Sequence, residues 1–484
     1  MRSTLKHSAL ALLLGAWFAA LAESPLLGPP RPMLTFNVVA QDAKGDPVRE
    51  LYAGDLRLYD DGKLMSVAFC RPIETASQAA APLGPREYSN RPTGGKSQST
   101  LVLLDLLNAN LAERGLGWTE IVRTLKKFES SQHLYVYLLT KEGTLHAIHA
   151  LPTAESPLEP DDDFWVARIQ PLLDQAMRDV NRLRLWEFQV NPDARVQKTL
   201  ALLQEIASDF AAQPGRKSLV WITHGVPILA NTPDGNQHDY TSMVRRIGTD
   251  LARSGITIYT VDQSERSTAG LNSMDTLREL SGLTAGQWLP SDHTEKAIAL
   301  ATSEGAATYQ VGYVPPLDRW DGKYHKLRVT AENKNTRLRG IDGYYGDSRA
   351  ADPAERLALA ALGGADDSGI GIRATAIPSE TVKGWIHFQV RVDPADLELT
   401  SGETYAGQFA MRFAYYTNGW ESASAPEIPT QLHLTRAEHD AALRDGVGVS
   451  LDRPLPAGVS KVRIVVRDVQ SGAVGSLTVP VIKQ

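Results

Sequence analysis

The sequence predicts an α/β domain between two β-rich regions, and three observations lead to this prediction. From residue 99 to residue 313, apolar strands alternate with amphipathic helices, as in a sheet covered by helices on both faces. The strand-like stretches 134–139 and 144–151 follow each other across a short turn, which predicts an antiparallel edge strand because parallel neighbours need a longer crossover. Regions 33–73 and 317–484 carry short strands with frequent turn residues, as β-sheet domains do.

The first 22 residues resemble an export signal. Arg2 and Lys6 supply positive charge, residues 9–21 are apolar, and Ala20-Leu21-Ala22 has the small-x-small pattern of a cleavage site. The apolar run is shorter than the roughly 20 residues of a membrane span, which favours a cleaved signal over the alternative, an uncleaved signal anchor. We therefore expect an exported protein, periplasmic or extracellular, with no transmembrane segment in the mature chain.

Composition narrows the class of protein. A length of 484 residues suggests two to four domains, and 43% hydrophobic residues allow large cores. The net charge of −6 is modest and mixed in sign, which argues against a nucleic-acid partner. Cys70 is the only cysteine, so no intramolecular disulfide is possible, and its strand-like surroundings predict a buried, inert thiol.

The N-terminal region divides into a small β-unit and a linker. Residues 33–73 contain strands joined by the tight turn Asp60-Asp61-Gly62-Lys63, and such a unit is too small to be stable alone. Residues 76–98, rich in Ala, Pro, Gly and Ser, are predicted to be a linker. Within it, 93–97 is similar to the end of a phosphate-binding loop. It lacks the first glycine and precedes a strand, so we expect no nucleotide there.

The predicted α/β domain spans residues 99–314. Its strands are placed at 100–104, 134–139, 144–151, 218–223, 256–261 and 308–313, with a minor strand at 287–289. Its helices are placed at 118–128, 194–212, 240–253, 274–282 and 293–304. A second β-segment covers 317–346, a helical linker 350–365, and a β-sandwich 368–484.

Three polar residues lie where predicted strands end: Asp105, His224 and Asp262. The carboxyl ends of the strands are where ligands bind in open α/β sheets. Ser264 and Ser267 follow Asp262, so a hydrolase is conceivable. No Gly-x-Ser-x-Gly nucleophile motif is present, and we expect a protein that is not an enzyme.

An aromatic group offers a further alternative, a carbohydrate- or peptide-binding face on the C-terminal sandwich. Its members are Tyr415, Tyr416 and Trp420. Core and hairpin packing explains the same residues equally well.

Several ordered motifs resemble the bacterial exported VWFA-related domain proteins. They include Leu104-Asp105-Leu106-Leu107-Asn108, Gly215-Arg216-Lys217-Ser218, Asp321-Gly322-Lys323-Tyr324-His325 and Gly343-Tyr344-Tyr345. The resemblance covers about residues 33–346. It implies a Rossmann-like von Willebrand A domain that binds partners at the carboxyl ends of its strands. It also implies that residues 33–73 pair with 317–346 in a small sandwich into which the α/β domain is inserted.

The resemblance further implies a metal-ion-dependent adhesion motif, Asp-x-Ser-x-Ser, with a later threonine and a later aspartate. Asp105 matches the first aspartate, but Leu107 and Ala109 replace the serines and His224 replaces the second aspartate. No threonine lies near 191–195, and Thr199 falls inside the helix. A hard cation needs more oxygen ligands than this, so no metal is expected. Asp105 is instead expected to cap the next helix or bind backbone amides, and a hydrogen bond to His224 is a further possibility.

The sequence thus predicts an exported protein that binds another envelope or extracellular protein. The predicted binding residues are Asp105, Asn108, Asn110, His224 and Asp262. The first alternative is a Mg²⁺- or Ca²⁺-dependent adhesion protein in which Asn108 or Asn110 completes a site with Asp105. A hydrolase or a carbohydrate-binding protein is the second.

Overall fold

The structure is a computed structural model that describes most of the chain beyond the N-terminal segment. The described residues are 33–73, 86–90, 98–109, 116–131, 133–151, 164–182, 192–211, 216–232, 234–264, 268–348, 366, 369–417 and 420–481. The predicted signal at 1–22, the phosphate-loop-like stretch 93–97, Asn110 and the linker at 350–365 lie outside them. Among the described residues, no helix is both long and apolar enough to span a lipid bilayer.

The first thirteen strands belong to the N-terminal and central regions. Those before the α/β sheet are β1 Leu34–Gln41, β2 Leu56–Asp60, β3 Lys63–Met65, β4 Val67–Pro72 and β5 Glu87–Ser89. Those of the central region are β6 Gln98–Asp105, β7 Leu134–Leu139, β8 Leu145–His149, β9 Arg216–Thr223, β10 Leu229–Asn231, β11 Gln237–Asp239, β12 Ile256–Asp262 and β13 Gln287–Pro290.

The remaining strands follow the α/β sheet. Four lie close behind it: β14 Thr308–Tyr313, β15 Tyr324–Ala331, β16 Arg337–Arg339 and β17 Gly343–Tyr345. Nine build the C-terminal domain: β18 Ile372–Pro378, β19 Trp385–Val392, β20 Thr400–Ser401, β21 Tyr405–Thr417, β22 Trp420–Ser424, β23 Ile428–Leu434, β24 Val447–Pro454, β25 Lys461–Asp468 and β26 Val474–Pro480. Within the described ranges, the α-helices are α1 Leu116–Lys126, α2 Ile169–Arg182, α3 Pro192–Ala211, α4 Thr241–Arg253, α5 Thr268–Leu283, α6 Thr294–Ser303 and α7 Arg436–Asp445.

The central sheet has six strands in the order β13-β12-β9-β6-β7-β8. All neighbours are parallel except β8, which pairs antiparallel with β7 as the hairpin predicted. Strands β6 and β9 lie in the middle and are almost wholly buried, which explains their continuous apolar runs. Helices α3, α4 and α5 cover one face and α1, α2 and α6 the other, each with its apolar side inward.

The two small β-segments on either side of the α/β domain pair with each other. One sheet has the order β16-β1-β14-β4 and the other β17-β15-β2-β3, so each sheet mixes strands from both segments. Their apolar faces form one core that includes Phe36, Leu58, Val311 and Tyr344. The α/β domain is therefore inserted into this small sandwich.

The predicted boundary at residue 314 was wrong by one strand. We expected 308–313 to be the last strand of the α/β sheet, but β14 pairs antiparallel with β1 and β4 in the small sandwich. Tyr309, Val311 and Tyr313 fill the sandwich core. A buried apolar strand gives the same signal in either sheet, so the sequence pattern did not distinguish them.

Buried charges join the amino end of the central sheet to the small sandwich. Arg216, at the start of β9, donates to the Tyr259 hydroxyl at 2.6 Å and pairs with Glu304 at 3.4 Å. Arg339 of β16 donates to Glu304 Oε1 at 3.1 Å. Burial raises the pKa of Tyr259 to about 12, so its hydroxyl remains a neutral donor and acceptor. This network fixes the α/β domain against its neighbour.

The C-terminal domain is a two-sheet sandwich around a core that includes Phe388, Phe409 and Phe413. One sheet has the order β24-β19-β18-β5, and the other is built on β21, β25 and β26. Strand β5 corrects the predicted linker at 76–98, because Glu87–Ser89 pairs with β18 at the edge of this domain. A strand of three residues is too short for its period to show in the sequence.

Cys70 lies half-buried on β4. Burial raises the pKa of its thiol to about 12, so the thiol stays protonated.

Candidate functional site at the carboxyl edge of the central sheet

Strand register brings three polar residues into one row. Leu104 pairs with Ile222, so the next residues, Asp105 and Thr223, adjoin each other where β6 and β9 end. Thr223 in turn pairs with Asp262 at the end of β12. The row therefore runs Asp105, Thr223, Asp262 along the edge where ligands bind in open α/β sheets.

Asp105 is fully buried, and both of its oxygens accept hydrogen bonds from the protein. Oδ2 accepts from Thr223 Oγ1 at 2.7 Å, from Asn108 Nδ2 at 2.8 Å and from Trp221 Nε1 at 3.1 Å. Oδ1 accepts from the Asn108 backbone amide at 3.1 Å. Bonds to an ionised acceptor are the stronger class, so these neutral donors hold the carboxylate firmly.

The Asn108 amide links this carboxylate to helix α3. Its Nδ2 donates both to Asp105 and to Thr199 Oγ1, the latter at 3.0 Å. The Thr199 hydroxyl donates to the Arg195 carbonyl one helical turn earlier, at 2.9 Å. Thr199 thus lies inside the helix, as predicted, and nevertheless faces the Asp105 site. The amide bridges the carboxylate and the hydroxyl without an ion.

The positions that would supply serine ligands are apolar and buried. Leu107 packs with the core on the α3 side of the sheet, and Ala109 is also buried. The half-buried Arg195 lies close enough to Asp105 to interact with its charge. Burial lowers the pKa of Arg195, and the Asp105 carboxylate opposes that shift. A guanidinium thus already accompanies the one carboxylate at this position.

Thr223 takes the place beside Asp105 in which His224 was considered as a possible hydrogen-bond partner. Thr223 also accepts from the Gly225 backbone amide at 2.9 Å, which turns the chain away from the carboxylate. Gly225 has φ +71°, and a Cβ there would lie 3.0 Å from the Ser273 Cβ. The turn after β9 therefore requires glycine.

The segment after this turn forms the hairpin β10–β11, which Asp193 ties to α3. Asp193 Oδ1 accepts from Tyr240 Oη at 2.5 Å and faces His238 Nδ1 at 2.8 Å. Its Oδ2 accepts from Gln197 Nε2 at 3.0 Å. The hydrogen bond from Tyr240 is the main reason that the pKa of Asp193 lies below its usual range. The hairpin is held in place, with Leu229 on its surface.

Asp262 is buried at the end of β12 and stabilises the loop that follows. It accepts from the backbone amide of Ser264 at 2.9 Å and from its hydroxyl at 2.5 Å. The Trp288 indole nitrogen also donates to Asp262, at 3.4 Å, and Arg278 stacks over that ring. This is a local loop cap rather than a catalytic pair.

The structure does not assemble the conceivable hydrolase trio from the described residues. Asp105 accepts from Trp221 and Thr223, whereas Asp262 accepts from Ser264 and Trp288, so the two carboxylates are held by separate partners. Ser267 and the predicted binding residue Asn110 lie outside the described residues.

The conceivable aromatic face on the C-terminal sandwich is also wrong for Tyr415. This residue is buried in the core of that domain. The side chain of Trp420 is outside the described residues.

Sequence reasoning missed three contributors to the Asp105 site: Trp221, Thr223 and Thr199. The sequence contains a signal for Thr223, because this residue immediately precedes His224, which stands at the position of the second aspartate of the motif. Trp221 and Thr199 meet Asp105 and Asn108 only through the tertiary fold, across separations of 116 and 91 residues.

Neither a protein-family model nor a curated protein matches this sequence. Among solved structures, the chain is similar to the manganese-loaded TRAP protein of Plasmodium vivax. The identity is 12% over 53% of this chain and 97% of that one, with a TM-score of 0.24. It is also similar to the human COPII-coat protein Sec24c, at 10% identity over 84% of this chain, with a TM-score of 0.25. The match covers 48% of Sec24c, about half its length. TM-scores this low carry no argument about function, and the fold assignment rests on the strand order above.

Proposed function

We propose that this chain is an exported protein that binds another envelope or extracellular protein. Binding uses the carboxyl edge of a von Willebrand A-like domain and needs no cation at Asp105. The observation that supports this most strongly is the set of four hydrogen bonds through which protein donors occupy both oxygens of Asp105.

Charge and ligand number favour the cation-free state. A Mg²⁺ or Ca²⁺ ion takes about six or more oxygen ligands, several of them from protein. Here Asp105 is the one acidic side chain of the group, Leu107 and Ala109 offer no side-chain oxygen, and Arg195 adds a positive charge nearby. An ion entering this position would have to displace donors from Trp221, Thr223 and Asn108.

The edge has the properties of a protein-contact surface. The hairpin β10–β11 follows Thr223 directly, its residues Gln237–Asp239 are exposed, and Leu229 adds apolar surface. Anchoring through Asp193 reduces the entropy that the hairpin would lose on binding. Loops placed on a rigid scaffold are a common location for binding residues.

The test is capture of a partner by the purified mature chain from an envelope extract, in the presence of EDTA. Leu229→Asp changes an exposed side chain on the hairpin and should reduce capture at least about tenfold, since one interfacial hot spot is worth about 1.4 kcal/mol or more. Leu64→Asp is the matched control, because Leu64 is exposed on β3 of the small sandwich. Equal capture by wild type and Leu229→Asp would contradict the proposal, as would capture that EDTA abolishes.

One observation favours a second candidate, a rebuilt cation site. The Asn108 side-chain oxygen Oδ1 is buried and has no hydrogen-bond partner among the described residues. An amide oxygen of this kind is a ligand for Mg²⁺ or Ca²⁺. Thermal melting with EDTA against added Mg²⁺ or Ca²⁺ separates the two candidates, because an ion that binds only the native state raises the melting temperature. The cation-free proposal predicts that added Mg²⁺ or Ca²⁺ does not raise the melting temperature through Asn108. A rise in wild type that Asn108→Ala abolishes would favour the rebuilt cation site.

A further inference from the structure

A second group of acidic side chains lies outside the α/β domain. Asp60 and Asp61 follow each other where β2 enters its tight turn, and His325 lies on the neighbouring strand β15. One ligand atom from each of these three residues lies within 4.8 Å of the other two. The strand pairing of β2 with β15 creates this group from residues 264 positions apart.

Asp60 supplies an observation that points to a ligand. It is fully buried, and its Oδ2 accepts from the hydroxyls of Tyr313 at 2.8 Å and Tyr344 at 3.0 Å. Its Oδ1 is buried with no hydrogen-bond partner among the described residues. A buried carboxylate oxygen left in this state is costly, and a bound cation would compensate it.

His325 is oriented as metal-binding histidines are. Its ring is almost fully buried, with Nε2 3.1 Å from Asp321 Oδ1. A carboxylate on one ring nitrogen fixes the ring and makes the other nitrogen a better ligand. That other nitrogen, Nδ1, lies 3.0 Å from Asp61 Oδ2, on the side of the carboxylate pair.

Arg319 is a positive charge that lies directly against the group. Its Nη1 donates to Asp61 Oδ2 at 2.6 Å and lies 3.3 Å from His325 Nδ1, while its Nε is 3.9 Å from Asp60 Oδ2. Lys323 Nζ lies 3.3 Å from Asp321 Oδ2. The three carboxylates of Asp60, Asp61 and Asp321 therefore still outnumber the two cations, Arg319 and Lys323. The Arg319 side chain is 25% exposed and can withdraw toward solvent.

We propose that Asp60, Asp61 and His325 bind a divalent transition-metal ion, with Asp321 as the positioning residue for the His325 ring. Mixed carboxylate and imidazole ligands favour Zn²⁺ or Mn²⁺ over Mg²⁺ or Ca²⁺. The ion joins β2 to β15 and so holds together the two segments of the small sandwich. The proposal is independent of what the α/β edge binds.

The test is calorimetric titration of the purified full chain with Zn²⁺, with Mg²⁺ as the comparison ion. Wild type should bind one Zn²⁺ and melt at a higher temperature with it, and His325→Gln should lose both effects. His387→Gln is the matched control, because His387 also lies beside a carboxylate, Asp452 at 3.2 Å, outside this group. Circular dichroism without metal verifies that His325→Gln folds. No Zn²⁺ binding by wild type, or equal loss in His387→Gln, would overturn the proposal.

Two further variants separate a metal site from a simple ion-pair network. Arg319→Met removes the competing guanidinium and should tighten Zn²⁺ binding. Asp321→Asn removes the carboxylate behind the ring and should weaken it about 10- to 100-fold. If Arg319→Met instead weakens Zn²⁺ binding, the guanidinium belongs to the site and the proposed ligand set is wrong.

Discussion

Asp105 and Asp60 are both fully buried aspartates at the end of a strand, and their surroundings are opposite. Asp105 accepts four hydrogen bonds from Trp221, Thr223 and Asn108, so neither oxygen remains free. One oxygen of Asp60 accepts hydrogen bonds from two tyrosine hydroxyls, and its other oxygen has no hydrogen-bond partner among the described residues. Asp105, the aspartate for which the sequence raised the question of a metal motif, is the one whose oxygens are both occupied by protein donors. Whether a buried carboxylate can take a ligand therefore depends on the donors that the fold brings to it.

The charges around Asp105 and Asp60 also differ. At Asp105, one carboxylate is accompanied by the guanidinium of Arg195. Around Asp60, two more carboxylates, Asp61 and Asp321, are present against the two cations Arg319 and Lys323. The small sandwich therefore carries the excess negative charge that a cation needs.

The largest expected effect on stability comes from truncating each aspartate. Asp105→Ala leaves the Trp221, Thr223 and Asn108 donors unpaired, and at about 1–3 kcal/mol for each buried donor we expect a loss of at least about 3 kcal/mol. Asp60→Ala leaves two tyrosine hydroxyls without their acceptor, but it also removes an oxygen that is already unpaired. We therefore expect the free energy of unfolding to fall by about 2 kcal/mol or less. Urea unfolding measured with and without EDTA tests the order. An equal or reversed order would contradict the comparison.

A second variant converts the neutral site into one resembling the acidic site. Asn108→Asp places a second carboxylate about where the amide now donates to Asp105 at 2.8 Å. Like charges at that distance should lower the melting temperature in EDTA, and Mg²⁺ should restore part of the loss. Asn108→Ala is the control without the added charge. A melting temperature for Asn108→Asp that equals wild type in EDTA would show that the site is not saturated by donors.

Acid should weaken the small sandwich through Asp61. Burial raises the pKa of Asp61, but hydrogen bonds from His325 and Lys326 and the charge of Arg319 outweigh it, so the pKa lies below its usual range. A carboxyl group with a lowered folded pKa stabilises the native state above its unfolded pKa of about 4 and loses that contribution as the pH falls through the folded value. Melting temperatures from pH 5 to pH 2 should fall less steeply in Asp61→Asn than in wild type. Parallel curves would contradict this role of Asp61.

The smallest expected effect on stability concerns Cys70, on β4 of the small sandwich, where the quantity measured is thiol reactivity. Its pKa of about 12 leaves little thiolate, so maleimide should label the native chain at least about 100-fold more slowly than the unfolded chain. Zn²⁺ should slow native labelling further if it holds the two β-segments together. Mass spectrometry of timed samples measures both rates. Labelling that Zn²⁺ leaves unchanged would show that the ion does not reduce opening of the sandwich.

Much of the central sheet could be predicted from the sequence because its signals are local. The apolar face of α3, from Val196 to Phe210, repeats with a helical period, and the hairpin between β7 and β8 is too short for a crossover. The inserted strand β14 could not be assigned, because its pattern fits either sheet. The three-residue strand β5 shows no period at all.

The candidate sites were harder to predict, because their residues come together only through long-range pairing. The sequence marks Asp105 by its position at the end of an apolar run, and it places Asn108 nearby. The other donors, Trp221 and Thr223, come from β9, more than one hundred residues later. The sequence places Asp60 and Asp61 in a tight turn and His325 far along the chain, and only the pairing of β2 with β15 shows that they adjoin. Long-range pairing, rather than residue type, defines both sites.

The most direct test of the account is a crystal of the full chain soaked in Mn²⁺, an ion that accepts both carboxylate and imidazole ligands. Anomalous scattering locates the ion without assuming a site. The account predicts a peak among Asp60, Asp61 and His325 and none at Asp105. A peak bound by Asp105 and Asn108, with none in the small sandwich, would contradict it.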